Sequence, residues 1–209
     1  MAEYLSPTFG AVGEQNLASG VVAPVALDRQ GAQLSSELHG RYVQQALRKH
    51  VYMANAIVTA PVIFSTAAGT GGPLLYNPPT SGVNAAILAV SCGVSVVSTV
   101  AASLGLTGGA TNAPTSTTAI DSLTNTFLGG PTGQCSVYRV GTPSAAGTFF
   151  HPFGDVHTGA LTVDNLGTAW IDIGGVFVVP PGYFASIAAS ATASTLVANL
   201  SMLYEEIPV

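Results

Sequence analysis

Ala169-Trp-Ile-Asp-Ile-Gly-Gly-Val-Phe-Val-Val-Pro-Pro-Gly-Tyr183, running on to Ser201-Met-Leu-Tyr-Glu-Glu-Ile-Pro-Val209, decides the fold class. Short runs of Val, Ile and aromatic residues are broken by Gly-Gly and by Pro-Pro-Gly. That pattern fits strands with turns between them and lacks the 3.6-residue recurrence of a helix. Read in order it is a strand, a Pro-Pro-Gly turn, a strand, a small-residue turn and a final strand. These resemble the closing hairpins of a β-sandwich. The strands Tyr183–Ala189 and Leu196–Tyr204 alternate Ala and Ser with Leu, Val and Ile. Side chains that small allow close approach of a second surface, so this stretch is expected to serve as core or as a subunit contact, with Ala188 and Ala191 as test positions.

The same pattern extends upstream. Ala54–Phe64, Leu74–Tyr76, Val83–Cys92, Val94–Ala102, Cys135–Val140, Leu161–Val163, Ala169–Ile173 and Val176–Val179 all read as strands, with turn residues about every ten positions. Eight to ten short strands at that spacing predict an all-β, antiparallel, jelly-roll-like β-sandwich over residues 51–209. Asn77-Pro-Pro-Thr-Ser-Gly82 is a strong turn, because Pro fixes φ and Gly permits the return. Residues 103–134, rich in Gly, Thr, Ser, Asn and Pro, are expected to form a long outward loop insertion with a short helix at Ile120–Leu128.

The first 50 residues differ. In residues 1–33, Ser6-Pro7, Gly10, Gly13, Gly20, Pro24 and Gly31 recur too often for a helix, while Val21-Val-Ala-Pro-Val-Ala-Leu27 is apolar. Such a segment has no core of its own and is expected to be an extended arm laid on a neighbour. Glu37–His50 then predicts one short helix, with Leu38, Tyr42 or Val43, Ala46 and Leu47 on one stripe. Arg48, Lys49 and His50 crowd its end, where cations suit the dipole, and Gly40 weakens it by ~1 kcal/mol relative to Ala.

Composition narrows the function. Of 209 residues 48% are hydrophobic but only 7% are charged, against roughly 25% in an average soluble domain. A lone monomer relies on surface charge for solubility. A chain this poor in charge is expected to bury surface against other subunits or to coat itself in Ser, Thr, Asn and Gly. The net charge of −5 with five basic residues argues against nucleic acid as a partner, since tracking phosphates needs many cations on one face. No apolar run reaches the ~18–20 residues of a spanning helix, and Met1–Pro7 lacks the basic and apolar blocks of a signal peptide. The expectation is therefore no membrane and no Sec export. Cys92 and Cys135 each sit in an apolar strand-like run, the setting of a buried free thiol, with a Cys92–Cys135 bridge as the alternative.

Chemistry finds few footholds. His151, Asp155 and His157 are the one local group of metal-ligand types, but their Pro/Gly-rich spacing gives no regular face. No Gly-x-Ser-x-Gly elbow is present. Glu205 and Glu206 are adjacent on a strand and so point to opposite faces. Gly69–Gly72 and Gly105–Gly109 lack the Lys that follows a phosphate-cradling loop. The expectation is no enzyme, no cofactor and no metal.

Leu38-His-Gly-Arg-Tyr42, Leu75-Tyr-Asn-Pro-Pro-Thr-Ser-Gly82, Gly174-Gly-Val-Phe-Val-Val-Pro-Pro-Gly182 and Glu205-Glu-Ile-Pro208, in that order, resemble virion structural proteins of tailed bacteriophages. The likeness spans residues 38–209 in scattered turns and leaves out the arm. It implies a β-sandwich of the capsid decoration (cement) or head-fibre type, often trimeric, located in the virion and assembled in the host cytoplasm. The expected partners are further copies of the chain, a major capsid protein or other virion proteins. The residues expected at shell or subunit contacts are Val21, Val22, Val25 and Leu27 in the arm and the cations Arg41, Arg48 and Lys49. The alternative is a receptor-binding sandwich that holds host glycans, with Tyr138, Phe149, Phe150 and Phe153 as an outward aromatic surface, since aromatic rings stack on sugars.

Overall fold

The computed structural model describes residues 42–59, 70–96, 102–156, 168–190 and 196–209. Within them lie one five-residue helix, α1 (Val43–Leu47), and eleven strands. They are β1 (Val51–Thr59), β2 (Thr70–Asn77), β3 (Val83–Val96), β4 (Ala102–Ala110), β5 (Thr115–Ala119), β6 (Ser122–Asn125), β7 (Ser136–Thr142), β8 (Thr148–Val156), β9 (Thr168–Val179), β10 (Tyr183–Ala189) and β11 (Val197–Pro208). Every pairing is antiparallel, in two sheets ordered β6-β1-β11-β3-β9 and β5-β7-β2-β10-β4-β8. The two sheets pack as a sandwich, as the strand pattern predicts. Among the described residues no helix is long and apolar enough to cross a membrane.

The pairing is nested. β1 pairs with β11, β2 with β10, β3 with β9 and β4 with β8. These four pairs fall alternately in the two sheets, and β11–β3 and β10–β4 contacts join them. The main chain thus folds as one long double strand rolled on itself, with β5, β6 and β7 inserted between β4 and β8.

Alternation sets the core. Tyr52, Ala54, Ala56 and Val58 of β1, Leu104 and Leu106 of β4, Ala185, Ile187 and Ala189 of β10, and Leu200, Met202 and Tyr204 of β11 all point between the sheets. On β3 the phase slips from Ala85 and Ile87 to Val90 and Cys92. Register shifts there, between Ile87 and Ala89 against β9 and between Leu203 and Tyr204 against β11, supply the extra residue that flips the faces.

The closing segment differs from a pair of hairpins. Ala169–Ile173 and Val176–Val179 are one strand, β9, and β9, β10 and β11 lie in the first, second and first sheet. The turn chemistry explains this. Tyr183 N donates to Pro180 O at 3.2 Å, and Gly182 has φ +83°. Pro181 followed by a positive-φ Gly is the type II pattern, whereas tight hairpins need primed turns whose twist matches paired strands. The chain therefore crosses to the other sheet.

A second Pro-Pro corner, between β2 and β3, sits beside the first. Asn77 joins them: it is fully buried, its Nδ2 donates to Val83 O at 2.8 Å and Val179 O at 2.9 Å, and its backbone carbonyl accepts from Gly182 N at 2.8 Å. Four strand ends from both sheets meet at this one residue.

Several other expectations are corrected. Residues 103–134 hold most of β4 together with β5 and β6, so the segment is no single loop, and Ile120–Leu128 carries β6 in place of a helix. Gly and Thr sit in β4 because neighbours press on it. A Cβ on Gly105 would lie 2.6 Å from both Phe149 Cε2 and His151 O, and one on Gly108 would lie 2.7 Å from Phe184 O. Gly105→Ala is accordingly expected to cost about 2 kcal/mol, read as a lower urea midpoint. Val83–Cys92 and Val94–Val96 are one strand rather than two. Phe149–Phe153 lies on β8. Of the helix expected over Glu37–His50, α1 spans Val43–Leu47, and residues 37–41 lie outside the described residues. Lys49 follows it in the left-handed region at φ +65°, its N–H on Ala46 O at 2.9 Å. Arg48 and Lys49 thus lie beyond the helix and not in its last turn. Ala188 is buried at 1% exposure, so Ala188→Glu would strain the fold itself; Ala191 lies outside the described residues.

Candidate functional site

The two lateral sides of the sandwich, where the sheets end, are built differently. One side is sealed. β5 and β6 follow one another in sequence yet border different sheets, β6 beside β1 and β5 beside β7. Asp121 lies between them. Its Oδ2 accepts Ile57 N of β1 at 2.7 Å, and its Oδ1 meets Arg139 Nη1 of β7 at 3.2 Å. A backbone donor beyond the end of the β1–β6 ladder is thereby satisfied and the two sheets are tied. The pair is half-exposed, so its worth is at most ~1 kcal/mol.

On the other side the described residues bring two sheet edges together around apolar side chains. β8 ends the six-stranded sheet and β9 ends the five-stranded sheet. Phe150 of β8 meets Phe177 of β9 edge-on, with centroids 5.0 Å apart. Phe150 is 53% exposed; on the outer face of β9, opposite the inward Phe177, Trp170 is 54% exposed, Val176 87% and Val178 47%. The exposure of Val176 has a local cause. Between Ile87↔Phe177 and Ala89↔Asp172 the register slips, so four residues of β9 face Leu88 alone. Gly174 and Gly175 take φ +67° and +79° to make this bulge, a conformation that costs most residues but not Gly. Val176 stands at its shoulder. Scattered exposed aliphatics are ordinary, but three large ones on one strand face mark a candidate interaction surface.

A buried polar centre lies at the far end of β11. Glu206 is 3% exposed. Its Oε2 accepts Gln134 N and its Oε1 accepts Cys135 N, each at 2.8 Å. Tyr52 and Tyr204 stack beside it, with centroids 5.4 Å apart. Burial first, and then the Glu206 carboxylate, raise the ionisation of Tyr52, Tyr204 and Cys135 above their ordinary values. These groups stay protonated near neutral pH, so Cys135 offers no nucleophile. The carboxylate instead anchors the end of the 126–135 segment to β11.

Cys92 and Cys135 are both free and buried. Cys92 stands opposite Leu200 and Glu206 opposite Ala85, which puts the two thiols roughly 20 Å apart along the strands, far beyond bridging range. Burial pushes the Cys92 thiol up to about 11. The unfolded chain loses that proton near pH ~8.5, so the native state binds the proton more tightly. The resulting stability is complete below pH ~8.5 and lost as pH rises toward 11. Native protein at pH 8 is expected to react with a thiol reagent far more slowly than urea-unfolded protein, and the gap should narrow above pH 10.

The other expected site residues are dispersed. Val21, Val22, Val25, Leu27 and Arg41 lie outside the described residues. Arg48 and Lys49 are exposed, and Lys49 Nζ sits 4.8 Å above the Phe127 ring. Tyr138 and Phe150 are far apart: β7 and β8 are separated by β2, β10 and β4, ~19 Å across the sheet. Tyr138 packs with Leu74, Tyr76 and Phe184 on the outer face of the six-stranded sheet. The 143–147 connection crosses there, with Ser144 N on Thr111 Oγ1 at 2.9 Å and a Cβ at Gly147 falling 3.2 Å from Phe184 Cζ. Phe149 lies against Gly105, half-buried, and the Phe153 side chain lies outside the described residues. These aromatics do not form one surface. His151 is exposed, His157 lies outside the described residues, and among the described residues no three His, Cys, Asp or Glu side chains gather as a metal site.

Comparison with known proteins returns no match. No protein-family model fits the chain, and no curated protein or solved structure is similar to it at a significant level. Function therefore has to be argued from the fold and its surfaces. The outer face of β9 at Trp170, Val176 and Val178 is the candidate. No motif announces it, and the Gly174-Gly175 pair in a Val-rich strand was the one available sign of a bulge.

Proposed function

We propose that the chain is a structural subunit of a virion shell, a capsid decoration (cement) protein of the bacteriophage kind, acting as a homo-oligomer through contacts and without catalysis. The observation that carries this is the exposed outer face of β9 at Trp170, Val176 and Val178, on a chain with only 7% charged residues. The nested strand order supports it too. We read it as a jelly roll, an architecture common in capsid and lectin domains, although fold alone does not assign function.

The mechanism is linkage. A decorating subunit binds the assembled lattice and not its free components, so it shifts the equilibrium toward the lattice by RT ln(1 + [L]/Kd), ~2.7 kcal/mol at a hundredfold excess over Kd. The major capsid protein would be the partner, and a trimer the working form. An apolar arm adds contact area beyond the domain itself. Deleting residues 1–33 is expected to leave the circular dichroism of a folded β protein intact and to abolish co-sedimentation with shells. A truncated protein that still sediments with unchanged affinity would remove the arm from the mechanism.

A further inference from the structure

We propose that the tip of the segment between β6 and β7, residues 126–135, is a preformed knob that enters an apolar socket rimmed with carboxylates on the shell protein. This rests on the reading of the chain as a shell-decorating subunit and gives that contact its chemistry.

The tip is shaped by its own turn. Gly130 N donates to Phe127 O at 2.8 Å, and Gly129 takes φ +80°. This fits a type II turn, which takes Gly at its third position and puts Leu128 at its second. Leu128 is 85% exposed. Pro and polar residues suit such a corner, whereas a leucine there gains only when a second surface removes it from water.

Both ends of the segment are pinned. At its start Asn125 is buried, with Nδ2 donating to Lys49 O at 2.8 Å and to Pro131 O at 3.1 Å, and Oδ1 accepting Phe127 N at 2.9 Å. Thr126 N adds a bond to Val51 O at 2.9 Å. At its end Glu206 accepts Gln134 N and Cys135 N. The packing leaves no slack: a Cβ on Gly130 would lie 2.6 Å from Asn125 Cγ, and one on Gly133 would lie 2.6 Å from Glu206 Oε1. Two buried polar side chains and two close-packed glycines thus fix a loop that presents its apolar residue to solvent. A loop fixed in advance loses little freedom on binding.

Charge selects the partner. Lys49 is the one lysine of the chain, and its Nζ stands 4.8 Å over the ring of Phe127, the neighbour of Leu128. Lys49 is exposed, and among the described residues no carboxylate forms an ion pair with it. Phe127, 37% exposed, extends the apolar surface below it. A leucine tip with a cation at its side calls for an apolar pocket with acidic residues at the rim. An anionic membrane would attract the same groups, but recruitment to lipid takes a cluster of ~4–8 basic residues. The other exposed cation beside Lys49 is Arg48, which already faces Glu205.

The test mixes shells lacking the chain with wild-type protein and with Leu128→Asp, and reads bound protein by co-sedimentation over a range of concentrations. The expected loss of affinity is roughly tenfold or more, the worth of one buried leucine, with unchanged circular dichroism because the side chain is exposed. Leu128→Ser, which adds no charge, should fall in the same direction. Lys49→Glu should weaken binding more at low salt than at high salt, and bound shells should shield Lys49 from an amine-acetylating reagent. Thr117→Asp, a new charge at an exposed position of β5, should bind as wild type does. Wild-type affinity in both Leu128 variants would overturn the inference and leave the decorating role standing. Wild-type affinity in Lys49→Glu at low salt would overturn the acidic partner. Loss of multimeric mass by Leu128→Asp in free solution would overturn the inference in favour of a contact between copies. Flotation of wild type with phosphatidylglycerol vesicles, abolished in Leu128→Asp, would overturn it in favour of a membrane. A wild type that sediments with no shell would remove the decorating role and the inference together.

Discussion

Replacing Glu206 with Ala is expected to lower the stability of the fold by roughly 3 kcal/mol. The carboxylate is almost wholly buried and accepts two backbone N–H groups, from Gln134 and Cys135. Truncation leaves both donors without a partner, and each orphaned buried donor costs ~1–3 kcal/mol. Part of this is offset, because burying a carboxylate carries its own desolvation cost. Glu206→Gln should lose about half as much, since one amide oxygen can still accept one N–H while the NH2 faces the other. Urea unfolding should rank wild type above Gln above Ala, with unchanged slope. A Glu206→Ala midpoint equal to that of wild type would mean that water replaces the carboxylate at no cost.

The second large effect is expected at Asn77. Asn77→Ala should cost about 3 kcal/mol, because Val83 O and Val179 O both lose their donor in a site with no exposure. Asn77→Asp is the sharper probe. It keeps the shape but, when ionised, aims acceptors at two carbonyl oxygens, so it should be at least as damaging as Ala at pH 7. Protonation restores one donor, so its deficit relative to wild type should shrink as pH falls. The sign follows from linkage: the variant carboxyl is destabilised when charged, its folded pKa lies above the unfolded value, and stability is lost as pH rises through it. An Asp variant with a pH-independent deficit would exclude direct contact with the two carbonyls.

Much of this fold can be read directly from the chain. Period-two alternation in β11 assigns its faces, with Leu200, Met202, Tyr204 and Glu206 sharing one phase, whereas β10 is buried on both faces. The inward position of Glu206 therefore follows from the residues before it; only its bond partners, about 70 residues away in sequence, do not. Pro180-Pro-Gly182 carried enough information to reject a hairpin, because Pro before a positive-φ Gly suits a type II corner. Residues 102–110 were harder. Gly105, Gly108 and Gly109 look like loop, and the reason they sit in a strand is the nearness of Phe149, Phe177 and Phe184. That is tertiary information. The meeting of the β8 and β9 edges is likewise a product of topology. Nothing local places Phe150 beside Phe177, since β8 and β9 meet only because both close their sheets.

The account turns on the chain completing itself with other copies through the outer face of β9. The most direct measurement is the mass of the intact protein in solution by light scattering across a range of concentrations. The account predicts a stable multiple of 21.0 kDa, three copies in the form proposed, falling to a single chain when Val176 and Val178 are both replaced by Asp. A well-folded wild-type protein of 21.0 kDa at every concentration tested would contradict it.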